Sequence, residues 1–390
     1  MAILQPTLLR ADHVAATSRA RSLPASLPTT IEVARVMLVI GLVFLHYFSF
    51  PNSRTSPFTG FDPDHHPFAT FVNSFVLLFF FSAVPLLSTI AGWLFFGLAA
   101  HPMATILRRM RGRFSSLLMP LVTWNLATIA AGFALYAIAP TSGLLGEFRF
   151  DFGEPSAFGV LDAVFGITGL PIAFQFWFVR DLFLSVLLSP LLWLVLRHAP
   201  LAGVVVLGAS WVMDFDFWIF TRTDVLFFFF LGGLARVRET PLDIPWRTAR
   251  LLLLAYALLM AARALAPLVV DPSAPPHEDL LDLVTRLARP LGVIACWGLA
   301  LRLARTQLGG FFARYGGFAF FLHAAHFPII IFVKYALWRL VPEETDAWML
   351  THYAASVAVT IAIAAAGAAL IFRLSPSAYA FLAGGRRFVG

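Results

Sequence analysis

The sequence predicts an all-α membrane protein, a polytopic helical bundle of about ten transmembrane helices with both termini cytoplasmic. Three observations carry this reading. Apolar residues make up 59% of the 390-residue chain and charged residues 13%, against about 45–50% and about 25% in soluble domains. Mean hydropathy is +0.82. A soluble core has no room for that apolar excess, whereas lipid absorbs it. Second, the apolar residues fall into runs near the roughly 20 residues that a spanning helix needs. Third, arginines and acids alternate from loop to loop, as the positive-inside rule requires. A β-barrel needs strands of about ten alternating residues, and runs such as 225–234 and 361–371 do not alternate.

Taken in order, residues 1–30 are polar and rich in Ser, Pro and Ala, with Arg10, Arg19 and Arg21. They read as a flexible cytoplasmic tail, since a secretory signal is shorter and has its apolar region nearer the start. Expected spans are 31–50, 70–99, 116–139, 174–196, 200–214, 223–236, 249–270, 280–301, 316–340 and 348–372. Residues 31–375 then form one transmembrane domain and 376–390 a second cytoplasmic tail. With the N-terminus inside, the inner loops hold Arg108, Arg109, Arg111 and Arg113, then Arg236, Arg238, Arg247 and Arg250, then Arg302, Arg305 and Arg314. Most of the acids fall outside. The outer segment 140–173, with a short amphipathic stretch at 157–167, is large enough to shape a substrate mouth.

The formal charge is +7, from 28 basic and 21 acidic residues, and Lys334 is the only lysine. In a chain this apolar the arginines mark cytoplasmic loops, so nucleic-acid binding is not expected. Cys296 is the only cysteine. That excludes an intramolecular disulfide and a multi-thiolate metal site and suits a small packing residue.

Ionisable groups within spans are functional candidates, because leaving them unpaired in lipid costs at least a few kcal/mol, ~3 or more. Arg35 and His46 in the first span are eleven residues apart. At about 100° per residue this is about 20° beyond three full turns, so both point the same way, roughly 16 Å apart along the axis. A fixed cation near the inner surface and a titratable imidazole in the outer half share one helix face. Taken singly, Arg35 also fits a snorkelling anchor and His46 a hydrogen-bonded packing residue. In the ninth span, His323 and His326 are three apart and near one face. No carboxylate follows to complete a metal site, so no metal is expected and a substrate-facing or packing role is favoured. Arg180 and Asp181, near the outer end of the fourth span, suit an ion pair in a cavity or a neutralised structural element. Arg263, Arg286, Arg289 and Lys334 lie nearer span ends and read mainly as snorkelling residues, with Asp224, Glu32 and Asn125 as weaker candidates. Four arginines within 108–113 exceed what orientation requires. They fit a phosphate-bearing cytoplasmic ligand as well as topology with anionic lipid.

These pieces together resemble the membrane acyltransferase-3 family over about residues 31–375. Arg35-x10-His46 is similar to the family's pair in its first span. Gly92-Trp93-Leu94 stands where the family has Ser-Gly-Tyr/Phe-Leu, with Ala91 in place of the Ser. The stretch from Arg109 to Pro120, followed by Trp124-Asn125, resembles the basic loop and its continuation. Trp177-Phe178-Val179-Arg180-Asp181-Leu182-Phe183 resembles Trp-Phe-Leu-Arg-Asp-Leu. Phe227 to Gly233 resembles a Phe/Gly-rich span, and Phe320 to Pro328 a Leu-His-x-Pro region aligned through His326, with His323 extra.

The resemblance implies an integral-membrane O-acyltransferase of the bacterial inner membrane. It would move an acyl group, acetyl being commonest in the family, from cytoplasmic acyl-CoA to a hydroxyl of a cell-envelope polysaccharide or glycolipid. Acyl-CoA is then a co-substrate and no cofactor is bound. In this reading His46 is the general base, with Arg35 and His326 beside it in the catalytic set. Arg109, Arg111 and Arg113 meet acyl-CoA, and Trp177, Arg180, Asp181 and His323 meet the acceptor. The partners are acyl-CoA, a sugar-containing or other hydroxyl acceptor, and the bilayer. The rival class is a transporter or flippase for a glycoconjugate or small metabolite. It also carries intramembrane Arg, His and Asp, but usually shows paired inverted repeats, which are not seen here. The acceptor, the acyl group and the oligomeric state are not encoded in any motif.

Overall fold

The fold comes from a computed structural model that describes residues 26–97 and 101–387. Residues 1–25 of the expected N-terminal tail and 388–390 of the expected C-terminal tail lie outside the described residues. The described residues form helices and connecting loops, with no strand among them.

Helix α1 (Leu27–Leu45) is the central element, packed against α2 (Pro67–Phe80), α3 (Ala83–Phe95), α12 (Pro275–Leu303), α13 (Gln307–Arg314) and α14 (Gly316–Trp338). Between them in sequence run α4 (Pro102–Arg113), a single π-turn, α5 (Met119–Ile138), and the short α6 (Ala157–Phe165). Then come α7 (Phe176–Leu187), α8 (Ser189–His198), α9 (Pro200–Val212), α10 (Asp224–Val237) and α11 (Trp246–Ala264). Helices α15 (Asp346–Leu374) and α16 (Pro376–Leu382) close the chain.

Among the described residues every expected span falls on a helix or helix pair, and six are long and apolar enough to cross a membrane: α1, α2–α3, α4–α5, α12, α14 and α15. The others differ for identifiable reasons. Helices α7 and α8 form one apolar stretch bent by 61°, with Pro190 at the start of α8. Helix α9 has 13 residues and α10 has 14. At 1.5 Å per residue each reaches only about 20 Å, short of a hydrocarbon core of about 30 Å. Helix α11 is longer but carries Arg247, Arg250 and Arg263.

Two of the sequence fragments meet at one helix crossing. A Cβ on Gly92 of α3 would stand 1.9 Å from the Phe229 carbonyl oxygen, and a Cβ on Gly232 of α10 would stand 2.0 Å from that of Thr89. The backbones of α3 and α10 touch, which only small residues permit. Phe95 and Phe96 pack their rings on Phe229 across the same crossing, and Arg236 lies 4.4 Å over the Trp93 ring.

The segment after residue 375 packs back on the bundle. Tyr379 of α16 is buried, and the Trp124 indole N–H donates to the Leu382 carbonyl at 3.1 Å. The neighbouring Asn125 accepts from the Ala173 amide through Oδ1 at 2.9 Å, which fixes the entry to α7.

The α3–α10 crossing yields a stability prediction. Gly232→Val places branched carbons against the Thr89 carbonyl and should lower stability by about 3 kcal/mol or more. Gly367→Val, at a position with open space around its Cβ, should be tolerated. Thermal unfolding of the two detergent-solubilised variants beside the native chain measures the difference.

Candidate functional site

Two histidines from distant parts of the chain meet at the middle of the bundle. His46 caps the C-terminus of α1 and is 5% exposed; His326 of α14 is fully buried. His46 Nδ1 lies 2.7 Å from His326 Nε2, and His326 Nδ1 lies 3.1 Å from the Leu322 carbonyl oxygen. A carbonyl accepts only, so His326 carries its proton on Nδ1 and presents a bare Nε2. His46 must then donate from Nδ1, which leaves its own Nε2 lone pair unengaged. The network therefore selects a tautomer in which His46 faces the adjacent cavity as a proton acceptor.

The local backbone explains the placement of His326. Proline at 328 has no N–H and cannot continue the helical ladder. Helix α14 accordingly breaks at Phe327, with φ −104° and ψ 133°. The carbonyl four residues before Pro328 is that of Ala324, and Gln175 Nε2 donates to it at 2.9 Å and to the Phe327 carbonyl at 3.3 Å. Phe174 wedges between the halves of the site, edge-on to His46 at 4.8 Å and to Phe327 at 4.7 Å between ring centroids. The chain leaving α1 just after His46 is held by Lys334, whose ammonium donates to the Tyr47 and Ser49 carbonyls at 3.4 and 3.1 Å. Lys334 is 5% exposed, so it caps a buried chain end and does not snorkel. Arg263 does the same elsewhere, donating to the Phe58 and Thr59 carbonyls.

Two cavities flank the histidines. The larger, about 190 Å³, is lined by His46, Trp177, Gln175, Arg222, Asp224 and Arg289 among others. The smaller, about 100 Å³, is lined by Arg35, Leu117, Phe320 and Arg386 among others. Phe178 and His323 line both. Arg35 and His46 each open onto one of the two adjoining cavities. Around the larger cavity the polar accounting is incomplete. Of the nine buried side-chain N and O atoms that lack a hydrogen-bond partner among the described residues, five belong to residues lining it: Gln175 Oε1, Asp224 Oδ1, Arg289 Nε and both ring nitrogens of His323. The rings of Phe176 and Phe178 lie edge-on to His323 at 6.1 and 5.9 Å between centroids. Buried polar groups are ordinarily satisfied, so this concentration marks a place made for a polar ligand.

The smaller cavity has a cationic mouth. Arg35 pairs with Glu32 at 2.6 Å. Burial, together with the charges of Arg35 and Arg113, pushes the half-buried Arg386 guanidinium down to about 10, so it remains charged at neutral pH. Three guanidiniums here thus face one carboxylate. Arg386 lies within the stretch 376–390 expected as a cytoplasmic tail. No spacing rule links it to Arg35, and its place depends on α16 folding back.

The other expected site residues divide. Trp177 and His323 line the larger cavity; neither Arg180 nor Asp181 is among its lining residues. Asp181 is fully buried. Its carboxylate accepts from Arg180 at 3.0 Å and from the Thr221 and Arg222 amides at 3.1 and 2.8 Å, so the pair pins the loop that presents Arg222. Arg109 donates to the carbonyls of Leu94, Phe95 and Gly97; it caps the C-terminus of α3. Arg111 is exposed. Arg289 is 4% exposed and turned inward, contrary to a snorkelling role. Its position some ten residues inside the expected span 280–301 was the available signal, deeper than a snorkelling side chain reaches.

The family profile described as an acyltransferase domain matches residues 29–369. The chain is 26% identical over 366 residues to a succinoglycan biosynthesis protein, ExoH, of Rhizobium meliloti (strain 1021), which covers 93% of each chain. No solved structure matches.

The break in α14 generates a prediction. Gln175→Leu leaves the Ala324 carbonyl unpaired in the core and should cost about 1–3 kcal/mol. Thermal unfolding in detergent would register the loss, and an unchanged midpoint would mean that another group satisfies the break.

Proposed function

We propose, for a chain that belongs to the membrane acyltransferase-3 family, that it transfers an acyl group from cytoplasmic acyl-CoA to a hydroxyl of a cell-envelope polysaccharide or glycolipid. The supporting observation is the tautomer chain from the Leu322 carbonyl through His326 to His46, which leaves the His46 Nε2 lone pair toward the larger cavity. In this reading the smaller cavity with its arginine mouth is the donor side and the larger cavity the acceptor side. The relative's printed role in succinoglycan biosynthesis supports a saccharide acceptor, and acetyl is the working choice of acyl group.

The steps balance without an added reactant. The acceptor O–H gives its proton to His46 Nε2 as its oxygen attacks the thioester carbon. The new C–O bond forms, the C–S bond breaks, and the proton passes to the departing CoA sulfur. His326 is a positioning residue: its Nε2 accepts from His46 Nδ1–H and stabilises the imidazolium while it lasts, as a buried acceptor does for a catalytic histidine. His323, with an N–H that has no hydrogen-bond partner and a place on both cavities, donates to the carbonyl oxygen as negative charge develops there. Arg35, Arg113 and Arg386 meet the phosphates of the donor. Arg109 contributes by holding the end of α3. The only cysteine, Cys296, is buried beside Ser82 and lines neither cavity, which favours direct transfer over an acyl-enzyme. The orientation that this requires places both termini in the cytoplasm and the larger cavity toward the outside.

Radiolabel from acetyl-CoA should appear in envelope glycan in membranes containing the native chain. His46→Ala at matched expression should lower the rate by about 10²–10⁴-fold, the usual contribution of a general base. Full transfer by the mutant would remove His46 from the chemistry.

A further inference from the structure

The wall of the larger cavity also carries a charge imbalance at Arg222, Asp224 and Arg289. Asp224 Oδ2 accepts from Arg289 Nη1 at 2.8 Å, and Arg222 Nε stands 4.0 Å from the same oxygen. Two guanidiniums therefore share one carboxylate. The nearest other acid, Asp181, does not correct this, because it is already engaged by Arg180 and by the Thr221 and Arg222 amides. Arg286 is matched by Asp214 at 2.8 Å. A surplus cation is thus left beside the buried Arg289–Asp224 pair, where one entering anion would balance it. Arg289, with its side chain 5% exposed, keeps Nε unpaired, and Asp224 Oδ1 is likewise unpaired. Arg222 is the more exposed partner, at 40%, and lies 5.8 Å over the Trp177 ring.

We infer that Arg222 and Arg289 form a carboxylate subsite in the reaction cavity, with Asp224 Oδ1 accepting a neighbouring hydroxyl or amide proton of the same ligand. A planar guanidinium with free N–H groups matches a carboxylate in two-point fashion, and the subsite's charge balance closes when one carboxylate enters. The inference rests on the acyltransferase reading only for which substrate brings that carboxylate. It is borne either by the acyl chain, as the half-thioester of a dicarboxylic acid, or by an acidic sugar of the acceptor. In either case it stands in the cavity onto which His46 opens, which makes the pair a specificity determinant and not part of the proton transfer.

The test separates the subsite from the reaction. Thermal unfolding of the full chain in detergent is followed with succinate and with uncharged succinamide at matched ionic strength. The native chain should be stabilised by succinate alone, and Arg222→Gln should lose that response. Arg289→Gln is the harsher variant because it strips Asp224 of its partner, so Arg222→Gln carries the decision. In proteoliposomes, succinyl-CoA against butyryl-CoA on a neutral oligosaccharide tests the acyl source. Acetyl-CoA on an oligosaccharide with and without a uronic acid tests the acceptor source. A preference of about tenfold or more for the carboxylated member in one arm, lost in Arg222→Gln, identifies the source. Succinate protection without transfer from any donor would overturn the acyltransferase reading and leave the subsite standing. Transfer with no carboxylate preference in either arm and no succinate protection would overturn the subsite and leave the reaction standing.

Discussion

The 2.7 Å hydrogen bond between His46 and His326 is the contact on which the site depends. It joins the end of α1 to the break in α14 and sets the proton on each ring. Most of the surrounding polar structure supports it. Pro328 stops the helix immediately after His326, Gln175 satisfies the carbonyl that the proline orphans, and Lys334 caps the chain as it leaves α1. The Gln175 amide N–H and the Lys334 ammonium are buried donors with partners, and in an apolar interior the alternative to a partner is a penalty of about 1–3 kcal/mol. The need to satisfy the backbone and the need to orient the imidazoles are met by the same residues.

The same accounting separates structural charges from those available to a ligand. Arg109, Arg180, Asp181, Arg263 and Lys334 are engaged with backbone groups or with one another. They hold helix ends and loops. Arg35, Arg386, His323, Arg222 and Arg289 border cavities. Sequence alone does not make this division, because an arginine that caps a helix and an arginine that meets a phosphate have the same side chain and here the same surroundings in the chain.

Several family-like fragments acquire separate physical meanings. Gly92 and Gly232 stand in two of them and exist for one another, since each removes the Cβ that would block the α3–α10 contact. Trp124 and Asn125 tie α16 and the entry of α7 to α5. Asp181 gathers the amides that present Arg222. The Arg35, Trp177 and His326 fragments place side chains on the two cavities, so a shared motif is as often a packing device as a chemical one.

Composition and periodicity by themselves determined the all-helical membrane character and the positions of the helices. These are local properties, set by run length and by 100° of rotation per residue. Six of the expected spans also had the length and polarity of a crossing, while α9 and α10 were too short and α11 too charged. The meeting of His46 with a histidine 280 positions away, the return of Arg386 into the arginine cluster, and the inward turn of Arg289 were decided by tertiary structure alone. Each depends on which helices become neighbours, and that follows from long-range packing and from pairing of buried polar groups, neither of which leaves a period in the chain.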